Sequence, residues 1–310
     1  RDFCLSRGLG DVYKRQERTK LILNGGMIYR DLDIESPPLI NYILLPPQLI
    51  GGDWWAYEIY FSMFPLLISL SMYTVMRRWD DHYAFLAAWI FVACPYAVQD
   101  ATWGIQDDPM VAFFYLLPIF MFLHKYRRSS GAVTAIGFWT KFLPVIQYPV
   151  LLIRMKDNRE RLISLGWTIG ASLIIMVPFL LLAPIEFLHF PSYYLLGRSG
   201  ESGAGMSIIY LISQNIVYID GTIGAALTVV ALLASYYLVY RWRLDVWRGA
   251  MLTTVMFLTV YPMIHLNYFI LPFAFFMIWA VRDKWIIARI ALMYFLCLLY
   301  TSPSPRDRQK

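Results

Sequence analysis

The chain has 310 residues, 59% of them hydrophobic and 15% charged, with a mean hydropathy of +0.52 and a formal charge of +6. A water-soluble domain is about half apolar and about a quarter charged, and the excess here is gathered into long apolar runs. That excludes a soluble globular enzyme, a disordered chain and a nucleic-acid module, and leaves an all-α integral membrane protein.

Residues 1–16 (RDFCLSRGLGDVYKRQ) and 297–310 (CLLYTSPSPRDRQK) resemble translated sequencing-adapter sequence, so both are expected to be non-native tails. They carry seven Lys/Arg and three Asp, so the remainder holds a net +2 and gives no sign of an acidic partner. Residues 17–296 then form a single transmembrane domain, expected to lack its first membrane helix. Cys4 and Cys297 lie in the tails and Cys94 lies in an apolar run, so no disulfide or metal spacing arises.

A spanning helix needs about 20 apolar residues. In chain order the runs 59–76, 83–99, 109–124, 162–183 and 222–240 qualify, with a further truncated one from 285. The stretch 39–50 is too short to cross and is interrupted by Pro46-Pro47, so it belongs in the interface or against protein. Residues 132–153 and 249–281 have awkward lengths and basic flanks at both ends. If each enters and returns, the basic loops 77–82, 124–131, 154–161, 241–248 and 282–284 share one side, with 14 Lys/Arg among them. The first stretch is therefore predicted as two half-helices turning near Thr140-Lys141, the second as two short helices turning near His265. The opposite side collects eleven acids, Asp31, Asp107 and Asp108 among them, against Arg30 and Arg198.

Four stretches could carry chemistry. In NGGMIYRDLDIESPPL (24–39), Asp31, Asp33 and Glu35 alternate with Leu32 and Ile34, which puts three carboxylates on one face of an extended segment. They could serve as a general base or hold a divalent cation, or they could simply form a solvated acidic loop. In WGIQDDP (103–109), Asp108 before Pro109 reads as a helix N-cap. Trp103, Gln106 and Asp107 crowd the same mouth with the stacking face and acceptors that a sugar site needs. In FPSYYLLGRSGESG (190–203), Arg198 is a phosphate ligand or a headgroup-level arginine. In HLNY (265–268), His265 sits at a turn where an ionisable group is a functional candidate or an ordinary interfacial residue. Lys141 has the same two readings, a contact to lipid phosphate or a snorkelling amine. No Ser-His-Asp order, Walker loop, zinc spacing or dinucleotide fingerprint is present.

In this order the stretches resemble the GT-C superfamily of integral membrane glycosyltransferases, and most closely its mannosyltransferase-like members that use a polyprenyl-phosphate sugar. NGGMIYRDLDIESPPLINYILLP is similar to their first outer loop and WGIQDDP to their tryptophan-glycine-glutamine-aspartate segment, with Ile105 inserted. GFWTKFLPVIQYPVLLI is similar to the Lys-and-Pro helix pair, and HLNYFILPF to the His-x-x-Tyr turn. The similarity covers most of 21–281.

The resemblance implies a GT-C fold with an outer-face first loop and short re-entrant half-helices. It also implies transfer of a sugar, mannose being the candidate, from the carrier lipid to an acceptor hydroxyl of a glycan, lipid or protein outside the cytoplasm. Asp31, ahead of Asp33, would be the catalytic base. Tyr29, Arg30, Glu35, Trp103, Gln106, Asp107, Asp108, Arg198, His265 and Tyr268 would bind substrate, and Arg198 with Lys141 would meet the lipid phosphate. Membrane lipids are the other expected partner; no cofactor is demanded, and a divalent cation is possible. The location expected is the plasma membrane. The alternative is a lipid-sugar flippase or transporter, which shares broken helices but calls for ionisable groups near the bilayer centre.

Overall fold

Proline and aspartate punctuate this chain, and the helices follow their placement. The computed structural model describes residues 9–98, 101–102, 104–195, 207–262, 264 and 266–283, and among them there is no strand. Helix α1 (Leu9–Leu23) leads into the first loop, and two short helices follow, α2 (Pro38–Ile43) and α3 (Leu45–Leu49), the second with prolines in its first turn. This is the interrupted packing expected of 39–50. The tail-like segment from Leu9 onward is continuous with α1, with Val12 buried.

Among the described residues three helices are long and apolar enough to cross a membrane: α4 (Trp54–Met76), α9 (Asn158–Leu182) and α12 (Gly221–Arg241). Aspartates start the last two. Asp157 accepts from the Glu160 N–H at 2.6 Å, and Asp220 accepts from the Thr222 N–H at 2.9 Å, each satisfying an orphan donor of the first turn. Only 6% of the apolar window of α9 is buried, so Leu162, Ile174 and Leu181 present an apolar face to the surroundings, as a lipid-facing helix does.

Two expected spans are shorter than the sequence suggested. The run 83–99 forms α5 (Asp81–Ala93), which stops at Cys94, and a single helical turn, Pro95–Val98, follows. The residue before a proline is pushed out of the helical region, and Cys94 is extended (ψ 121°). The run 109–124 forms α6 (Asp108–Leu123), 16 residues long. The run from 285 lies outside the described residues.

Both awkward stretches break where expected. Helix α7 (Ser130–Thr140) ends at an extended Lys141, a 3-10 turn covers Leu143–Gln147, and α8 (Tyr148–Arg154) completes the pair. Then α9 is followed by α10 (Pro184–Leu195), α11 (Ile208–Asn215) and α12. Helix α13 (Val246–Val260) stops before Pro262, and a 3-10 turn at Leu266–Phe269 opens α14 (Ile270–Asp283). The main core lies between α4, α5, α6, α8, α13 and α14, where Tyr115, Phe91 and Phe275 are fully buried.

Two loops of the basic set close their helices alike. After α6, the Lys125 N–H donates to Phe122 O (3.0 Å) and the Tyr126 N–H to Met121 O (2.8 Å), with Lys125 at φ 71°. After α12, Arg243 (φ 51°) and Leu244 donate to Tyr240 O and Val239 O. These are paired C-terminal caps whose left-handed position is usually glycine, filled here by cations beside the negative end of the helix.

Candidate functional site

The beginning of α6 meets two helix breaks from elsewhere in the chain. Asp107 takes the N-cap position without accepting a capping hydrogen bond from its side chain, and Asp108 opens the helix with Pro109 behind it. The Asp108 carboxylate is therefore not a cap, as the Asp-Pro order suggested. It accepts from Lys141 Nζ at 2.8 Å through Oδ1 and from Asn267 Nδ2 at 2.9 Å through Oδ2. Asp107 Oδ1 lies 3.8 Å from the same amine.

Local packing explains why Lys141 arrives there. A Cβ on Gly137 would stand 2.9 Å from Pro144 Cβ and 3.0 Å from Phe114 O, so only glycine lets the end of α7 lie against both the 3-10 turn and α6. Lys141 then leaves the helix pointing toward the start of α6. Its amine sits 5.2 Å from the centre of the Tyr268 ring, a cation–π contact. Lys141, expected at a lipid phosphate, is thus held by two aspartates and an aromatic face.

Two members escaped the sequence reading. Asn267 lies inside HLNY but drew no notice beside His265, because a neutral amide carries no charge signal. Arg15 lies in the stretch set aside as tail; its Nη1 donates to Ile105 O at 2.6 Å and its Nη2 stands 3.8 Å from Asp107 Oδ1. No chemical step below is assigned to Arg15.

The first loop is built differently from the extended segment expected. Residues 28–32 form a tight turn in which the Tyr29 N–H donates to Leu32 O and the Asp31 N–H to Met27 O. Asp31 locks that turn: Oδ2 accepts from the Met27 N–H (2.7 Å), and Arg30 donates to both carboxylate oxygens at 2.8 Å. The Arg30 guanidinium first, and the Met27 N–H after it, hold its pKa down at about 2. Asp33 and Glu35 are exposed while Ile34 is buried, so alternation returns after the turn. Asp33 lies on an open groove of about 550 Å³ that also takes in Glu186 and His189.

Tyr29, expected to touch substrate, lines the same groove as Asp33 and is otherwise buried as an anchor. Its ring meets Phe179 and Phe187 edge-on at 5.5 and 5.4 Å, and its hydroxyl donates to Ser36 O at 2.6 Å. The same apolar cluster contains Trp139, two residues before Lys141, and so ties the first loop to the end of α7. Asp31 and Asp107 nonetheless belong to separate ion-pair sets. Gln106 donates to Gly104 O at 3.0 Å, inside its own turn. Trp103, Arg198 and His265 lie outside the described residues.

Four non-glycine residues among those described have positive φ, and two of them, Tyr29 (71°) and Ile105 (47°), fall in the first two motifs. A left-handed β-branched residue is a true outlier, and such strain gathers where surrounding structure fixes a functional segment. Among the described residues no three His, Cys, Asp or Glu side chains gather to hold a metal ion.

Over 99 residues the chain is 34% identical to the dolichyl-phosphooligosaccharide-protein glycotransferase 2 of Archaeoglobus fulgidus. The match takes in 29% of this chain and spans 16% of the length of that relative. No family model matches the chain, and no solved structure does. The likeness supports a membrane glycosyltransferase in general terms, as do the apolar helices for a membrane protein.

Proposed function

We propose that this chain belongs to a GT-C type membrane glycosyltransferase that takes a sugar from a polyprenyl-phosphate carrier and passes it to an acceptor hydroxyl on the extracytoplasmic face. The observation that carries the reading is the convergence of Asp107 and Asp108 with Lys141 and Asn267, drawn from three separate helix breaks. The transporter reading calls instead for ionisable groups gathered near the bilayer centre. The relative's printed name couples a lipid-linked oligosaccharide with a protein acceptor, which favours the same reaction class here. In this reading the α7–α8 and α13–α14 breaks are re-entrant turns.

The cluster suits hydroxyl binding better than phosphate binding. Asp107, Asp108, Lys141 and Arg15 sum to no net charge, and both cations are already engaged by the aspartates, which leaves a phosphate no spare cation while the carboxylates can accept hydrogen bonds from a sugar. Lys141 and Asn267 aim the Asp108 oxygens, so they are positioning residues. The lipid phosphate then falls to Arg198 and His265.

For the base, Asp33 replaces Asp31 as first choice. Both Asp31 oxygens are occupied and its proton affinity is low, whereas Asp33 is exposed on an open groove. Asp33 takes the acceptor hydroxyl proton as oxygen bonds to the anomeric carbon. The bond from that carbon to the carrier phosphate breaks, and its electron pair leaves with the phosphate.

The test is transfer from a synthetic polyprenyl-phospho-sugar by the chain in lipid vesicles. Asp33→Asn should lower turnover by about 10²–10⁴. Asp107→Asn should raise KM more than it lowers kcat. Unchanged kinetics in both, and in Asp31→Asn, would falsify the assignment.

A further inference from the structure

The far ends of α6 and α7 carry a second charged feature, opposite in sign to the carboxylate cluster. Lys125, Arg127 and Arg128 surround an open cavity of about 380 Å³, with Ser129, Glu160 and Trp167 completing its wall. We infer that this cavity binds the phosphate of an anionic phospholipid headgroup.

Charge comes first. The single acid on the wall, Glu160, is already shared: it lies 3.7 Å from Arg127 and also accepts from the Lys156 N–H at 3.3 Å. The remaining balance is positive, as an anion requires. Arg127 is fixed in place by the Phe122 ring, 5.0 Å from its guanidinium, and a quarter of its side chain stays exposed on the cavity wall. A guanidinium held in this way presents its remaining N–H donors in the planar fork that matches phosphate oxygens.

The wall is rigid before any ligand arrives. Gly131 packs so closely on α9 that a Cβ would stand 2.2 Å from Ser164 O. Tyr148 joins the same contact, its hydroxyl 3.0 Å from Ser164 Oγ and accepting from Thr168 Oγ1 at 2.8 Å. Lys125 holds a left-handed conformation that glycine would adopt with less strain. A cation therefore stands where folding alone favours glycine.

The membrane identifies the source of the phosphate. Trp167 is exposed on α9, the membrane-capable helix with the least buried apolar face, and Tyr126 beside it is 65% exposed. Exposed Trp and Tyr next to a basic loop mark headgroup level. Basic pockets at that depth take anionic headgroups.

The experiment uses the full chain in nanodiscs of neutral lipid doped with phosphatidylglycerol, reading retained lipid by native mass spectrometry. Lys125→Gly should keep or raise the melting temperature while retention falls about fivefold, the factor for one cation near a membrane surface. Arg127→Gln with Arg128→Gln should lower it further. Arg243→Gly relieves the matching turn after α12 and should leave retention unchanged. Equal retention in all variants overturns the site, as does equal loss in Arg243→Gly, which would mean bulk charge attraction. Displacement of the lipid by millimolar inorganic phosphate overturns the lipid assignment.

Discussion

Lys141 reaches across 33 positions of sequence to place its amine 2.8 Å from Asp108 Oδ1, and Asp107 shares the same cation at 3.8 Å. Two adjacent carboxylates on one helix end repel each other, and Lys141 against both, with Arg15 against Asp107, supplies the opposing charge. Lys141→Met leaves Asp108 buried without its cation, while Asp107 keeps Arg15, and should cost about 3–5 kcal/mol in denaturation of the detergent-solubilised chain. Lys141→Met with Asp108→Asn removes one charge from each side and should recover much of that stability. Transfer activity should stay lost, because the sugar's acceptor is gone. Full activity in the stable double variant would reduce the cluster to a structural ion pair.

Asp31 and Arg30 make a second relationship with a pH signature. The arginine, followed by the Met27 N–H, lowers the Asp31 pKa from 3.8 to about 2. A depressed folded-state pKa means that the contribution to loop stability is complete above about pH 4 and is lost as pH falls through about 2. Arg30→Gln should move the Asp31 titration up toward 3.8, read by carbon NMR of labelled aspartate carboxyls. An unmoved midpoint would show that the backbone bond alone sets it.

Helix breaks were legible in the sequence because their causes are local. Basic flanks and the run length placed the turn at Thr140-Lys141, and Pro144 and Pro262 follow the two helix ends. The partners of Lys141 were not legible. Which oxygen an amine finds depends on how closely Gly137 lets α7 approach α6, and that is a tertiary fact. The turn around Asp31 was not legible for a related reason. Alternating acids and aliphatics indicate an extended face, but Tyr29 at φ 71° turns the chain beforehand, and no pattern of hydrophobicity reports a dihedral angle. The packing of Tyr29 on Phe179 and Phe187 was equally out of reach, because an aromatic residue in a polar loop does not name its neighbours.

Tyr115 on α6 and Thr254 on α13 lie 2.6 Å apart, both buried. The threonine hydroxyl proton goes to Ala250 O at 2.6 Å, so the tyrosine is the donor between the two side chains. A double-mutant cycle with Tyr115→Phe and Thr254→Val should give a coupling of about 0.6 kcal/mol, and no more than roughly 1.7. A coupling near zero would mean that water or another group replaces the bond on unfolding within the membrane.

Gly131 and Gly166 offer opposite outcomes from the same substitution. Gly166 lies within α9 with open space where a Cβ would project, so Gly166→Ala should stabilise by about 0.8–1 kcal/mol through helix propensity. At Gly131 the new Cβ would stand 2.2 Å from the Ser164 backbone oxygen, which no rotamer change relieves. Gly131→Ala should therefore cost about 1–3 kcal/mol as α7 and α9 are forced apart. Because α7 ends at Lys141, the displacement should also lengthen the Lys141–Asp108 pair and lower turnover, whereas Gly166→Ala should leave turnover alone. Thermal unfolding and transfer assays on the two variants check both halves, and loss of activity without loss of stability at Gly131 would break the proposed link between them.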